Sequence, residues 1–124
     1  MPVVRSADAE VHDLHDVRFV SYACTATGST ELCAWRLEVP AGTAGPGHTI
    51  SREEVFLVLS GTPRLTIDGE AHDLSPGDVA MVPAGSLLAM GNPGNGPASV
   101  WVTTGIGLEA VFPDGSRISP PWAR

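Results

Sequence analysis

The stretch "GTAGPGHTISREEVFLVLSG", residues 42–61, is the part of the sequence that is most informative about the fold. Turn-forming residues open it, a single histidine follows, and two adjacent glutamates precede an apolar run of β-forming residues. Successive side chains of a strand point to opposite faces. If Glu54 points inward, this alternation predicts an inner face of Glu54, Phe56 and Val58. The outer apolar face then consists of Val55, Leu57 and Leu59.

Short β-forming segments separated by glycine and proline make up the rest of the chain. The 14 glycines and 11 prolines are spread along the 124 residues as turn formers. Asp68-Gly69 predicts a hairpin tip, residues 8–17 predict one helical turn at most, and residues 85–98 are not predicted as a strand. The pattern predicts an all-β sandwich or barrel, with strands near 17–26, 31–40, 53–61, 63–67, 70–74, 79–84 and 99–105.

Length and charge restrict the classes of function. A chain of 124 residues is the size of one domain. Its net charge of −7 and its lack of lysine argue against nucleic acid and anionic membrane surfaces as partners. The first ten residues are too polar for a signal peptide, and no apolar run is long enough to span a bilayer. We therefore expect a cytoplasmic protein.

The spacing of particular residues resembles the two sequence motifs of the cupin family. The first motif, G-x5-H-x-H-x3–4-E-x6-G, reads Gly42, His48, Ile50, Glu54 and Gly61 in this chain. The second, G-x5-P-x-G-x2-H-x3-N, reads Gly77, Pro83, Gly85, Leu88 and Asn92. The resemblance implies a small, cupin 2-like β-barrel of the jelly-roll type (a double-stranded β-helix) that forms one domain over residues 1–124. It also implies a homodimer, for which the outer apolar face is the candidate interface.

The resemblance places metal ligands at positions 48, 50, 54 and 88, of which His48 and Glu54 match. Ile50 and Leu88 cannot ligate, and zinc, iron and manganese sites usually need three or four protein ligands. We therefore predict no cofactor and no metal at the usual positions. Zinc, iron, manganese or nickel stays an alternative if a further ligand comes from Glu53 or from one of three histidines otherwise expected at the solvated surface, His72, His12 and His15.

Alternation also predicts an apolar pocket with a few polar groups, as small-molecule sites have. Its candidate members are Tyr22, Trp35, His48, Ile50, Glu54, Phe56, Met81, Leu88 and Met90; for Trp35, Met81 and Met90 plain core packing is the alternative. Three functions stay open: metal-free binding of a small organic molecule, a metal-free isomerase, epimerase or cyclase with His48 and Glu54 as acid and base, and a metal-dependent oxygenase or isomerase. A hydrogen bond between His48 and Glu54 would make the pair structural.

The two cysteines lie on a predicted hairpin. A two-residue type II′ turn at Gly28-Ser29 puts Cys24 opposite Cys33, close enough for a disulfide. The cytoplasm keeps most such pairs reduced, so two buried thiols are favoured over a disulfide or a redox function.

Overall fold

The computed structural model describes residues 2–124 as two antiparallel sheets, with no α-helix in that range. Three short 3-10 turns, at Ser6–Asp8, Thr25–Thr27 and Pro121–Ala123, accompany the strands. No helix long and apolar enough to cross a membrane occurs among these residues. The strands are β1 (Glu10–Leu14), β2 (Val17–Ala23), β3 (Leu32–Val39), β4 (His48–Ile50), β5 (Glu54–Ser60), β6 (Arg64–Ile67), β7 (Glu70–Asp73), β8 (Val79–Val82), β9 (Leu87–Gly91), β10 (Ala98–Gly105), β11 (Ala110–Val111) and β12 (Arg117–Ile118).

Each sheet has six strands, in the orders β1-β2-β3-β10-β5-β8 and β12-β11-β4-β9-β6-β7. The apolar side chains between the sheets form the core, in which Val39, Leu65, Val82, Val100 and Val102 are fully enclosed. Two sheets that face each other across alternating inward side chains are the architecture of a jelly roll. The prediction of an all-β jelly-roll fold is confirmed.

The decisive strand, β5, alternates as predicted. Glu54, Phe56 and Val58 are 4%, 3% and 1% exposed, whereas Val55 and Leu59 are on the outside. Gly61 ends the strand with φ +77, and a Cβ there would lie 2.5 Å from the Pro97 carbonyl oxygen. Only glycine accepts both the positive φ and this close approach, which explains why the first motif ends in glycine.

The predicted hairpin tip at Asp68-Gly69 is confirmed, and the Asn92 side chain stabilises a second loop. Asp68 and Gly69 join β6 to β7 with φ 49 and 83, the positive values that a type I′ hairpin requires. Asn92 is fully buried, and its side-chain amide donates to the carbonyls of Val39 and Gly96 while its oxygen accepts from the Gly94 amide. The second motif thus ends in a side chain that holds the loop after β9.

Three predictions of local structure were wrong. Residues 10–14 form β1 rather than a helical turn, because they pair with β2 along the whole strand. Residues 87–91 form β9, a central strand, although glycines and prolines on either side hid it in the sequence. The connection after β2 is the 3-10 turn Thr25–Thr27 closed by Gly28 at φ 101, ψ 4, rather than a type II′ turn, because the Thr27 hydroxyl bonds back to the Tyr22 and Cys24 carbonyls.

Two predicted pocket residues lie outside the barrel. A bulge between Ser21 and Ala23 interrupts the alternation of β2, so Tyr22 packs on the outer face beside Trp101. Met81 is 71% exposed because it lies opposite Val55, whereas its neighbour Val82 lies opposite Glu54 and points inward.

Candidate functional site

A cavity of about 110 Å³ lies between the two sheets. The first sheet contributes inward residues of β2, β3 and β5, and the second contributes residues of β4, β9, β11 and β12. Residues of the β1–β2 turn and of the segment 117–124 complete the wall. Almost all of the wall is hydrocarbon or aromatic ring, with few polar groups, as in sites for small organic molecules.

Six of the nine predicted pocket residues line this cavity: Trp35, His48, Glu54, Phe56, Leu88 and Met90. Ile50 does not, because its side chain is enclosed in the core at 1% exposure. Tyr22 and Met81 are excluded by the bulge and by the register described above. The structure therefore brings His48 and Glu54 together at one cavity.

Glu54 is a buried carboxyl group without a partner. Among residues 2–124 its side chain forms no hydrogen bond and no ion pair, and burial raises its pKa to about 8. Two side-chain polar atoms in this range, Ser21 Oγ and Trp35 Nε1, are fully enclosed without a partner, and the Glu54 oxygens are not among them. The carboxyl oxygens therefore reach the open space of the cavity, where a bound molecule can contact them.

His48 opens the short strand β4 and is partly buried at the same cavity. Burial lowers its pKa, an effect that the Pro46 carbonyl opposes and nearby His15 reinforces. The Pro46 oxygen lies 3.4 Å from Nδ1, and no hydrogen bond joins His48 to Glu54 in the described part of the chain. The hydrogen bond between His48 and Glu54 that would have made the pair purely structural is therefore absent from residues 2–124.

The mouth of the cavity contains a residue that the sequence had placed at the solvated surface. His15 is exposed, yet it lines the cavity, with its ring centroid 6.1 Å from that of Phe112. The ring centroid of His48 lies 5.7 Å from that of the same phenylalanine. His15 and Asp16 both have positive φ, 51 and 65, in the tight turn between β1 and β2, a conformation that non-glycine residues seldom adopt.

The segment 117–124 closes the cavity on a second side, a role that was not predicted from the sequence. Trp122 stacks on Phe19 with ring centroids 3.8 Å apart and planes 18° apart, and both rings line the cavity. His12, expected at the surface, packs against the same tryptophan at 5.7 Å. A lone tryptophan in the proline-rich stretch "SPPWAR" was the available signal, because such a large apolar side chain is usually buried.

The side chains present do not fit a metal ion at the usual cupin positions. Leu88 lies directly opposite His48 in the β4–β9 pair, and Ile50 is enclosed in the core. In residues 2–124 no three histidine, cysteine, aspartate or glutamate side chains lie close enough together to hold a metal ion. Glu53, His72, His12 and His15 therefore do not complete a ligand set with His48 and Glu54. One imidazole and one carboxyl group fall short of the three or four ligands that such metals take.

Neither of the two cysteines lines the cavity. Both are free and buried, and burial together with nearby Cys24 raises the pKa of Cys33 to about 11. A buried thiol with a raised pKa is a poor nucleophile, which applies to Cys33, and both cysteine side chains belong to the hydrophobic core.

Comparison with known proteins extends these observations. A model of the cupin domain matches residues 35–104. The polyketide cyclase RemF from Streptomyces resistomycificus is similar in structure, with 17% identity and a TM-score of 0.76 over 85% of this chain and 79% of that one. An RmlC-like cupin from Shewanella frigidimarina NCIMB 400 has 19% identity and a TM-score of 0.73 over 85% and 90% of the two chains. At these identities the likeness is one of fold.

A curated relative, endoribonuclease YbeY of Myxococcus xanthus (strain DK1622), is 31% identical over 83 residues. This match covers 67% of the present chain and 28% of the relative, so the chain spans little more than a quarter of the protein that bears that name. The cupin-domain match, in contrast, covers more than half of the present chain and includes both motifs, His48 and Glu54. The protein is therefore a member of the cupin family.

Proposed function

We propose that this cupin binds a small organic molecule in the cavity between its sheets, without a metal at the usual positions. The observation that carries the proposal is the unpaired carboxyl group of Glu54, which faces the same apolar cavity as His48. A buried polar group without a partner destabilises a fold by about 1–3 kcal/mol. A ligand that places a polar group against Glu54 and an apolar body against the wall offsets this.

The test separates binding from folding. Glu54→Leu and His48→Ala are compared with Glu53→Leu and His72→Ala, which change the same residue types outside the cavity. Binding of small uncharged ring compounds is measured by saturation-transfer NMR, and stability by thermal melting. We expect the two cavity variants to lose binding without a fall in melting temperature, and Glu54→Leu to melt at the wild-type temperature or above it. Binding that is unchanged in both cavity variants, or absent in the wild type, contradicts the proposal.

A metal-free proton-transfer enzyme is the second candidate, and the opposite pKa shifts favour it. Near neutral pH, burial keeps Glu54 protonated and His48 neutral, so one cavity holds a proton donor beside a proton acceptor. With a ketone bound, the His48 nitrogen removes a proton from the α-carbon while the Glu54 carboxyl donates its proton to the carbonyl oxygen. The enol that forms returns to a ketone when both protons move back.

Deuterium exchange tests this step. In D2O the imidazole exchanges its proton with solvent, so a catalyst of this kind deuterates the α-carbon of acetophenone. We expect wild-type protein to accelerate the exchange over buffer, and His48→Ala and Glu54→Gln to lose the acceleration while Glu53→Gln keeps it. Exchange at the buffer rate, with acetophenone bound, eliminates the enzymatic candidate and leaves the binding function standing.

We also propose that a second copy of the chain covers the outer face of β5 and β8. Val55 lies opposite Met81 and Leu57 lies opposite Val79, and the four side chains form one apolar patch. Val79 and Met81 are 54% and 71% exposed, and apolar patches of this kind usually mark interfaces. Light scattering should give a dimer for the wild type and a monomer for Met81→Asp. A monomeric wild type at micromolar concentration contradicts this proposal.

A further inference from the structure

The wall of the cavity concentrates the aromatic residues of the chain. All three phenylalanines and two of the three tryptophans line it, leaving Trp101 and the single tyrosine on the outer face. The stacked pair of Phe19 and Trp122 already presents one flat surface. Aromatic rings pack most favourably against other rings, in offset-stacked or edge-to-face arrangements, so this wall favours a planar aromatic ring over a saturated one of equal size.

The size of the cavity limits the ring system. Its volume is about 110 Å³, whereas an engineered apolar cavity of about 150 Å³ holds one benzene molecule. Two fused rings exceed this space unless the wall moves, and close-packed interiors resist such movement. The cavity therefore has no room for more than one ring, and any substituent on that ring must be short and extend toward the mouth beside His15.

The polar groups of the wall limit the charge of the ligand. In the described chain the wall has three ionisable side chains, His15, His48 and Glu54, and no arginine. An anion would leave water without a guanidinium or ammonium partner, because the chain also has no lysine. Burial disfavours the charged forms of both Glu54 and His48, so the polar end presents a neutral hydrogen-bond donor and a neutral imidazole.

We infer that the ligand is an uncharged molecule with one aromatic ring and one carbonyl or hydroxyl oxygen, held with the ring against the aromatic wall and the oxygen at Glu54 and His48. This inference rests on the proposed binding function and names its ligand class. The oxygen accepts a hydrogen bond from the protonated Glu54 carboxyl group and lies beside His48, while Phe112 and His15 lie at the mouth.

Four related probes test the three parts of the inference. Acetophenone has the full set of features, cyclohexyl methyl ketone has a saturated ring, benzoate has a charge, and 2-acetylnaphthalene has a second ring. The Kd of each for the wild-type protein is measured by NMR titration. We expect acetophenone to bind at least about tenfold more tightly than each of the other three, a difference of about 1.4 kcal/mol.

The outcomes distinguish this inference from the function on which it rests. If cyclohexyl methyl ketone, benzoate or 2-acetylnaphthalene binds as well as acetophenone, the ligand class is wrong while binding in the cavity stands. If none of the four binds and broader screening with uncharged ring compounds also finds nothing, both fail. Acetophenone affinity that is equal in wild type and Glu54→Leu overturns the assignment of the oxygen to Glu54, whereas Glu53→Leu should leave the Kd unchanged.

Discussion

Two aromatic clusters lie on opposite faces of the same sheet and differ in how their polar groups are satisfied. In the outer cluster, Tyr22 packs beside Trp101, and the Tyr22 hydroxyl accepts a hydrogen bond of 3.2 Å from Arg36, which also pairs with Glu38. In the inner cluster, formed by Phe19, Trp35, Phe56 and Trp122, the adjoining Glu54 carboxyl has no protein partner in residues 2–124.

This difference separates a structural role from a functional one. A polar group whose hydrogen bonds are all made within the protein stabilises the fold and has little to offer a ligand. A buried group without a partner destabilises the free protein and needs an explanation. The outer cluster satisfies the hydrogen bonds of its own polar groups, whereas the inner cluster leaves the Glu54 carboxyl group without a partner. Four measurements test this difference.

The largest effect is expected from truncating the inner face of β5. Phe56 is 3% exposed, and we expect Phe56→Ala to lower the free energy of unfolding by about 3–5 kcal/mol. Leu57, its half-buried neighbour on the outer face, should lose less than about 2 kcal/mol in Leu57→Ala. Urea denaturation below the concentration at which any dimer forms measures both. Equal losses of unfolding free energy in the two variants would mean that other residues of the same chain bury Leu57 as fully as Phe56.

The next effect is the pH dependence due to Glu54. Its folded-state pKa of about 8 exceeds the ordinary 4.5, so between these pH values the folded state binds a proton that the unfolded state has released. Stability should therefore fall as pH rises through this interval, by up to about 1.4 kcal/mol per pH unit. Burial lowers the pKa of His48, so its own contribution makes stability rise as pH increases through the range in which it titrates.

Urea denaturation of wild type and Glu54→Gln from pH 5 to pH 8 isolates the glutamate, because His48 is common to both proteins. We expect the stability of Glu54→Gln to exceed that of the wild type by an amount that grows with pH. Curves that stay parallel would show that the carboxyl group is ionised and paired in solution, which ends the contrast between the two clusters.

A smaller effect is expected in the outer cluster. Tyr22→Phe removes the hydroxyl that accepts from Arg36, and the loss of one partly exposed hydrogen bond should lower stability by about 0.5–1.5 kcal/mol. Because Tyr22 does not line the cavity, the Kd for acetophenone should not change. A higher Kd for acetophenone in Tyr22→Phe would show that Tyr22 contributes to the ligand site after all.

The smallest effect concerns the enclosed hydroxyl of Ser21, which lies opposite Trp35 and has no hydrogen-bond partner in the described chain. Removing an unsatisfied polar atom from the interior relieves its desolvation penalty. We expect Ser21→Ala to raise the melting temperature by a degree or two or to leave it unchanged. A clear drop in the melting temperature would reveal a partner for the hydroxyl in solution.

The sequence predicted the central part of the site well because two short-range regularities determine it. The motif spacing placed His48 and Glu54, and alternation on an unbroken strand placed Phe56 beside them. Neither regularity depends on how distant segments meet. The same alternation failed for Tyr22, where one extra residue in a bulge reverses the face, and for Met81, where the face depends on the register against β5.

The rest of the wall was beyond prediction because it consists of long-range contacts. Trp122 reaches the cavity only because the segment 117–124 docks on Phe19, about a hundred positions earlier. His15 reaches the mouth through two positive φ angles in a turn whose sequence, His-Asp, lacks the usual glycine. No local pattern in either segment distinguishes a solvated tail or turn from one that encloses a cavity.

The docking of the segment 117–124 has a consequence for the dynamics of the protein. Its attachment includes hydrogen bonds from the Thr25 amide to the Arg124 carbonyl, 2.8 Å, and from the Gly107 amide to the Ala123 carbonyl, 3.0 Å. For a bound molecule that leaves past Trp122 rather than through the mouth, this segment must detach, and detachment exposes both amides to solvent. Local opening and ligand release are then one event. A bound molecule should therefore slow hydrogen exchange at the Thr25 amide, although Thr25 does not line the cavity.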